Sequence, residues 1–417
     1  MNIFKFGGAS VNSADGVRNF VKIVQSYREE TIIVLSAMGK TTNALEEIVE
    51  AFFNKNDLDS KLLAVKQYHL SIVNELFPKK DDAVYEKIEV LFNQLSQYLE
   101  KEPSLCYEFE YDQIVSFGEL ISTTIVSEFL RLSGRPNKWV DIRTCLKTDD
   151  TYKEGRIDWK LSEKLVSQTF SFNSTFVYIT QGFIGGTKTN QTTTLGREGS
   201  DYSAAILSYI LDADKLAIWK DVPGIMNADP KWLPDAQKLE RITYQEAIEL
   251  AFYGAKVIHP KTIQPIKKKK IPLQVRSFLD LNESGTLIST ASKKLDYLLP
   301  VYIQKKDQVL ISIRPIDFSF ILEEKLSSLF SLFAKHRVKV NLIQNSAISF
   351  SVCVDNSDRR LKELIEEISI DFEVKYNDDL ELITIRHHNQ EAVERMTKGR
   401  EILLEQRSRD TAQFVLV

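Results

Sequence analysis

The residues best suited to chemistry lie in one loop, where Gly196 and Gly199 flank Arg197 and the pair Ser200-Asp201 precedes an apolar helical run. Glycine lets the backbone approach a ligand closely and turn its N–H groups toward it. The positive end of a helix that begins at Ser200 adds to this effect. The pattern predicts an anion-binding loop with an acidic residue beside it. A capped glycine turn before a core helix is the structural alternative, so other loops must decide.

Other loops with suitable chemistry follow predicted strands. The first strand carries Lys5 and ends at the pair Gly7-Gly8, and a helix is expected from Asp15 to Tyr27. A junction of this kind offers backbone donors to phosphate oxygens, and a lysine adds a mobile charge. Three more strands that end in glycine- or hydroxyl-rich loops are predicted at 31–35, 175–179 and 215–219. Together they predict a ligand cleft along the carboxyl edge of an open parallel sheet.

Composition excludes several classes of protein. The 54 basic and 58 acidic residues nearly balance, which does not favour a nucleic-acid partner or an anionic membrane. No apolar run approaches the roughly 20 residues that span a bilayer, and we expect no signal peptide. Cys106, Cys145 and Cys353 are scattered and odd in number. We therefore expect a cytoplasmic protein without disulfides.

The chain divides by pattern into three regions. Residues 1–295 alternate between strands and helices, interrupted by a charged helical insertion over 46–104. From 300 to 386 the order is β-α-β-β-α-β, which is ferredoxin-like. Residues 387–417 have room for about one helix and one strand. We therefore predict a large α/β domain, a small α+β domain and a short final segment.

These motifs resemble the amino-acid kinase superfamily and, within it, the aspartate kinases. The C-terminal pattern is similar to the ACT module, and 387–417 resembles a truncated second ACT unit. The resemblance implies an open, mostly parallel sheet flanked by helices, followed by a ferredoxin-like (ACT) α+β domain. It rests on six blocks in the expected order, namely Lys5–Val11, Phe117–Thr123, Thr180–Gly185, Thr194–Ala205, Trp219–Ile225 and Tyr253–Pro260.

The implied activity is ATP-dependent phosphorylation of the side-chain carboxylate of L-aspartate to 4-phospho-L-aspartate. This reaction opens the pathway from aspartate to lysine, threonine and methionine. The resemblance assigns catalysis to Lys5 and Asp201. It assigns the aspartate site to Ser36, Thr42, Glu119, Phe183, Arg197, Gly199 and Ser200. It assigns the nucleotide site to Lys5, Gly7, Gly8, Lys220, Asp221, Met226, Lys231 and Lys256.

ATP and Mg²⁺ are the cofactors that the resemblance implies, with no protein residue assigned as a metal ligand. The run Val340–Ser346 resembles an effector-binding region, so an amino-acid effector is an expected partner. The family also implies a homodimer or a higher homo-oligomer. We expect neither nucleic acid nor a membrane as a partner.

The motif residues fit the chemistry of a carboxylate acceptor. A carboxylate is already deprotonated at neutral pH, so the reaction needs no general base. It needs positive charge and positioning, which lysine, arginine and backbone N–H groups supply. Two alternatives stay open: a kinase of another amino acid, carboxylate or nucleotide, and an amino-acid sensor that uses the ACT module alone. Glu119 with Arg197 fits a free zwitterionic amino acid and disfavours the other kinases. Lys5 with Asp201 disfavours the sensor, which would need neither residue.

Overall fold

The chain forms two compact units. The computed structural model describes residues 1–79, 82–255, 258–290, 299–317 and 319–417. Within these ranges the first unit comprises residues 1–225, 238–248 and 258–290, and the second unit comprises 226–237, 249–255 and 299–417.

The division differs from the predicted boundary near residue 295, because residues 226–237 belong with the C-terminal part of the chain. Ala228, Trp232 and Leu233 pack in the same apolar core as Tyr302 and Ile383. Burial of their apolar surface stabilises the second unit. The order of elements along the sequence does not reveal this packing.

An open sheet of eight strands forms the centre of the first unit, in the order β3-β4-β2-β1-β7-β9-β10-β8. All neighbours run parallel except β9 and β10. β1 lies between β2 and β7, and its five residues are buried. The strands are β1 (Asn2–Phe6), β2 (Thr31–Leu35), β3 (Lys138–Val140), β4 (Val177–Gln181), β7 (Lys215–Lys220), β8 (Arg241–Thr243), β9 (Leu273–Ser277) and β10 (Thr286–Ser289), and β5 (Ile184–Gly186) and β6 (Thr192–Thr194) form a separate hairpin.

Helices connect these strands, and those before residue 100 include the predicted helical insertion. They are α1 (Ala14–Gln25), α2 (Thr41–Asn54), α3 (Leu58–Leu76), α4 (Ala83–Leu99), α5 (Tyr107–Val115), α6 (Phe117–Leu132), α7 (Trp159–Thr169), α8 (Gly199–Ile210), α9 (Tyr244–Tyr253) and α10 (Pro260–Lys269). In α1 the buried residues Val17, Phe20, Val21 and Val24 follow the spacing of one helical face. Among the described residues no helix is long and apolar enough to cross a membrane.

The helix predicted after β1, from Asp15 to Tyr27, is present as α1 (Ala14–Gln25). Between β1 and this helix, Gly8–Val11 forms a single 3₁₀ turn. The Ser13 hydroxyl caps α1 by accepting a hydrogen bond from the Gly16 N–H at 3.1 Å. A side-chain cap at Ser13 sets the helix start, so the end of α1 does not lie directly behind the glycine pair.

A six-stranded sheet forms the centre of the second unit, in the order β12-β13-β11-β14-β16-β15. Register shifts between Lys305 and Gln308 and between Gln308 and Leu310 interrupt the pairing of β11 with β14, but each strand continues through the bulge and is 15 residues long. The elements are β11 (Val301–Pro315), α11 (Glu323–Lys335), β12 (Val340–Asn345), β13 (Phe350–Asp355), α12 (Asp358–Ile368), β14 (Phe372–Arg386), α13 (Gln390–Thr397), β15 (Ile402–Arg407) and β16 (Thr411–Leu416).

The predicted fold class is confirmed, since a mostly parallel sheet with flanking helices is followed by an α+β unit in the order β-α-β-β-α-β. The final segment differs from its prediction. It contains α13 and two strands, β15 and β16, where one strand was expected. β16 pairs with β14, so the final segment adds its two strands to the sheet of the β-α-β-β-α-β pattern.

Gly8→Ala should lower the free energy of unfolding by about 1–3 kcal/mol, the usual cost of overpacking. A Cβ on Gly8 would lie 2.5 Å from the Ala37 carbonyl oxygen and 2.9 Å from that of Gly39, which are backbone atoms. Gly7→Ala is the matched control, because its Cβ would meet only Lys5 Nζ, at 3.5 Å. Chemical denaturation of both variants measures the effect, and equal losses would contradict this account.

Candidate active site

An ion pair between Lys5 and Asp201 forms the centre of the site. Lys5 lies near the end of the central strand β1, and Asp201 lies in the first turn of α8. Lys5 Nζ is 2.6 Å from Asp201 Oδ1, and the two side chains are 11% and 1% exposed. The structure therefore joins the two predicted catalytic residues in one buried pair.

The charges of this pair determine the ionisation of Asp201. Burial alone would raise the pKa of the Asp201 carboxyl, but the positive charges of Lys5 and Lys220 outweigh it. The pKa of Asp201 therefore lies below its usual value, and the carboxylate is charged at neutral pH.

Glu119 enters the same site from the first turn of α6. Its carboxyl group is 2% exposed and accepts a hydrogen bond at Oε1 from the Ala37 N–H, at 3.2 Å. Gly118 makes this approach possible, since a Cβ there would lie 2.9 Å from Ala37 Cβ. Oε2 of Glu119 accepts no hydrogen bond from any described residue. A buried oxygen without a donor is rare in folded proteins, so a ligand donor would fit here.

Burial also changes the acidity of Glu119. It raises the pKa of this carboxyl to about 8, although the Ala37 hydrogen bond and the charge of Lys5 act in the opposite direction. The side chain is therefore mostly neutral at pH 7 until a cation approaches Oε2.

The Arg197 loop contributes a second cation. Gly196 and Glu198 on either side of Arg197 both have positive φ, at 75° and 57°, and the Gly199 N–H donates to the Gly196 carbonyl at 3.0 Å. This tight turn begins α8 and leaves Arg197 exposed. Arg197 forms no ion pair with any residue that the structure describes. Its guanidinium is therefore free to hold a carboxylate.

These side chains line one cavity of about 580 Å³. The cavity contains both predicted catalytic residues and all seven residues predicted for the aspartate site. Their roles remain predictions, but their proximity is a structural fact. The lining residues are Lys5, Ser36, Thr42, Glu46, Tyr111, Glu119, Lys153, Glu154, Phe183, Thr194, Gly196, Arg197, Glu198, Gly199, Ser200 and Asp201.

The residues predicted for the nucleotide are less concentrated. Gly7 lies beside Lys5 Nζ, and Lys220 acts electrostatically on Asp201 from the end of β7. Asp221 follows Lys220 and is exposed. Met226 and Lys231 belong to the second unit, and Lys256 lies outside the described residues.

Sequence reasoning missed part of the cavity wall. Glu46 lies in α2 and Tyr111 in α5, and Lys153 and Glu154 lie in the turn before α7. None of them belongs to a glycine-rich or strand-end motif. Only the fold brings these distant segments to the cavity, and the sequence carries no local signal for it. Within the described ranges, no three His, Cys, Asp or Glu side chains are grouped so that they could hold a metal ion.

Comparison with known proteins gives consistent matches. Residues 1–277 match the model of the amino acid kinase family. The lysine-sensitive aspartokinase 3 of Escherichia coli strain K12 is 32% identical over 358 residues, which are 85% of this chain and 78% of that protein. Some relatives are longer: the chain spans 47% and 32% of two bifunctional aspartokinase/homoserine dehydrogenases.

Solved structures agree with the sequence matches. E. coli aspartokinase III in complex with lysine and aspartate, in the T-state, superposes with a TM-score of 0.84 at 29% identity, covering 100% of this chain and 95% of that one. The R-state complex with aspartate and ADP gives a TM-score of 0.81 at 28% identity, with 100% and 96% coverage.

Glu119→Gln should stabilise the protein at pH 8, and the gain should vanish toward pH 5. The pKa of Glu119 is about 8 in the folded protein against an ordinary value of 4.5. Between these values the folded state holds the extra proton, so wild-type stability falls as pH rises, by up to about 1.4 kcal/mol per unit. The neutral amide has no such loss.

Chemical denaturation between pH 5 and 8.5 measures the difference, with Glu163→Gln on the exposed face of α7 as control. A wild type and a Glu119→Gln variant with the same pH dependence would contradict the raised pKa.

Proposed function

Because the chain belongs to the amino acid kinase family, and to its aspartokinases, we infer that it is an ATP-dependent aspartate kinase. It transfers the γ-phosphoryl group of ATP to the side-chain carboxylate of L-aspartate and forms 4-phospho-L-aspartate. This is the first step from aspartate toward lysine, threonine and methionine.

The proposal rests on the buried Oε2 of Glu119, which has no donor among the described residues. It shares the cavity with Arg197, which forms no ion pair with those residues. A free amino acid supplies an ammonium group for Glu119 and a carboxylate for Arg197. An N-acylated amino acid offers one neutral amide N–H in place of the ammonium group, so it would bring no positive charge to Glu119. The cavity therefore suits aspartate better than acetylglutamate.

The reaction needs no proton transfer to begin. The side-chain carboxylate oxygen of aspartate forms a bond to the γ-phosphorus, and the bond from that phosphorus to the β,γ-bridging oxygen breaks and leaves ADP. The difficulty is the approach of one anion to another. Lys5 would stabilise the charge on the transferring group, and Asp201, 2.6 Å away, would hold the ammonium in place.

Further ligand contacts belong to the same proposal. Gly7, Gly8, Lys220, Asp221, Met226, Lys231 and Lys256 would serve the nucleotide, and Ser36, Thr42, Phe183, Gly199 and Ser200 would complete the aspartate pocket. Mg²⁺ would accompany the ATP phosphates, since this ion keeps several water ligands and binds largely through substrate phosphates. It would neutralise part of their charge.

The second unit supports a proposal of regulation and assembly. β12, at an edge of its sheet, contains the predicted effector segment except Ser346, and Phe330, Ile343 and Ile348 are about 40% exposed. An open edge beside exposed apolar side chains favours pairing with a second copy. We propose a homodimer or a higher homo-oligomer that binds an amino-acid effector, with lysine and threonine as the candidates, and works in the cytosol, where Cys106, Cys145 and Cys353 stay free thiols. A monomeric mass by light scattering would contradict this assembly.

Aspartyl hydroxamate should form when the protein is given L-aspartate, ATP, Mg²⁺ and hydroxylamine, since hydroxylamine traps an acyl phosphate. Glutamate and acetylglutamate serve as control acceptors, and lysine or threonine is added separately to detect regulation. Turnover with another acid alone would keep the fold and overturn the substrate.

Lys5→Met and Asp201→Asn should each lower kcat by about 10²-fold or more, because each removes fixed charge from the reacting group. Thermal unfolding of both variants separates lost catalysis from lost folding. Near wild-type kcat in a folded variant would refute the catalytic assignment.

Arg197→Ala should raise KM for aspartate by roughly 10- to 100-fold, in line with the loss of a charged hydrogen bond worth about 1.5–3 kcal/mol. Steady-state kinetics with each substrate varied in turn test this expectation. A change confined to KM for ATP would instead place Arg197 at the nucleotide.

A further inference from the structure

Lys153 is a cation of the cavity that the mechanism above leaves unused. It lies in the turn between β3 and α7, lines the cavity and is half-buried. No carboxylate of the described residues forms an ion pair with it. A lysine without a counterion usually extends into solvent, so its fixed position at a cavity wall needs a cause.

The backbone of Lys153 is held by Asp112. The Lys153 N–H donates to the Asp112 carboxylate, at 3.0 Å from Oδ2 and 3.2 Å from Oδ1. Asp112 is itself fully buried in α5. Lys153 also has a φ of 65°, in the left-handed region that glycine prefers. The hydrogen bond that the Lys153 N–H donates to a buried carboxylate helps to offset the cost of this conformation.

The side chain of Lys153 rests on a platform of two tyrosines. Its ammonium lies 4.3 Å from the centroid of the Tyr111 ring and 5.3 Å from that of Tyr107. The hydroxyls of these tyrosines donate to Glu46 at 2.7 Å and Glu50 at 2.6 Å. These bonds link both rings to α2, and the ammonium is attracted to the two aromatic faces.

The same turn packs directly on the loop of Arg197. The Gly155 N–H donates to the Thr194 carbonyl at 2.8 Å, and a Cβ on Gly196 would lie 3.1 Å from the Lys153 carbonyl oxygen. Asp112 also accepts a hydrogen bond from the Thr194 N–H, at 2.9 Å. One carboxylate therefore anchors both segments that bring Lys153 and Arg197 to this wall, neither of which forms an ion pair with a residue that the structure describes.

We propose that Lys153 is a second cation for the α-carboxylate of the amino-acid substrate, acting beside Arg197. This inference rests on the proposed function and adds a residue to its substrate site. Ordering a free lysine on binding costs side-chain entropy, and here the turn and the tyrosine platform have already limited that freedom. Arg197 is exposed, so a half-buried lysine beside it would strengthen the hold on a carboxylate that water would otherwise screen.

Lys153→Met tests this role, because methionine keeps the apolar stem on the tyrosine rings and removes the charge. Steady-state kinetics would vary aspartate and ATP in turn, and calorimetry would measure aspartate binding without ATP. Lys153→Arg is the conservative variant. Lys188→Met is the matched control, since Lys188 is an exposed lysine of the same unit paired with Asp158 at 3.0 Å.

Lys153→Met should raise KM and Kd for aspartate about tenfold, a loss of one charged contact, while kcat and KM for ATP stay within about twofold. Lys153→Arg should restore most of the affinity, and Lys188→Met should match the wild type. Aspartic acid α-amide keeps the reacting carboxylate but lacks the α-carboxylate, so its poorer kcat/KM should be the same in wild type and Lys153→Met.

Equal losses for aspartate and its α-amide would place Lys153 away from the α-carboxylate and overturn the proposal. A fall in kcat alone, a rise in KM for ATP alone, or no change would also overturn it. Wild-type turnover of aspartate is measured in the same experiment. Its absence would count against the proposed function, whereas a normal wild type with an unaffected Lys153→Met variant would count against this inference only.

Discussion

The buried ion pair of Lys5 and Asp201 is the constraint on which the rest of the first unit depends. Two charges in a protein interior are stabilised only when they are close together and held there, since the loss of water costs several kcal/mol for each ion. Lys5 is held by the central strand β1, which has a parallel neighbour on both sides, and Asp201 by the first turn of α8. A shift of either element would leave a charge buried without its partner. The pair therefore ties the position of a helix start to the register of the sheet.

The loops around the pair are joined to it through backbone hydrogen bonds. The Ser36 N–H donates to the Phe6 carbonyl at 3.2 Å, and the Gly182 N–H donates to the Leu35 carbonyl at 2.8 Å. The ends of three neighbouring strands thus support one another before any ligand is bound. A site that acts through fixed charge benefits from this rigidity, because preorganised groups need no rearrangement when charge develops in the transition state. Glu119 is also held in a fixed position, but it carries no fixed charge, because its raised pKa keeps it neutral until a ligand cation arrives.

Much of this arrangement could be predicted from the sequence because it depends on local chemistry. Strand-end loops, the Gly196–Gly199 turn and the start of α8 are determined by residue types a few positions apart. The resemblance to the aspartate kinases implied the nine catalytic and aspartate-site residues, and they line one cavity. The other wall could not be predicted in this way. Lys153 and Tyr111 meet only because Asp112 connects α5 to a turn 41 residues away. In the second unit the order of strands and helices follows the prediction, but the sequence does not show that Trp232 packs in a core with residues far along the chain.

Three residues of the cavity wall have a strained backbone conformation. Lys153, Phe183 and Glu198 all line the cavity, and all have positive φ without being glycine, at 65°, 67° and 57°. Each such residue costs of order 1 kcal/mol, which the surrounding structure must offset. The offset is visible at two of them: Asp112 accepts from the Lys153 N–H, and the Ser203 hydroxyl accepts from the Phe183 N–H at 3.0 Å. Glycine would remove the cost but also the side chain. At these two turns, hydrogen bonds from the turn N–H to side chains of neighbouring helices keep a side chain where the backbone alone would favour glycine. That compensation is a property of the tertiary structure, and it determines which side chains the cavity can present to a substrate.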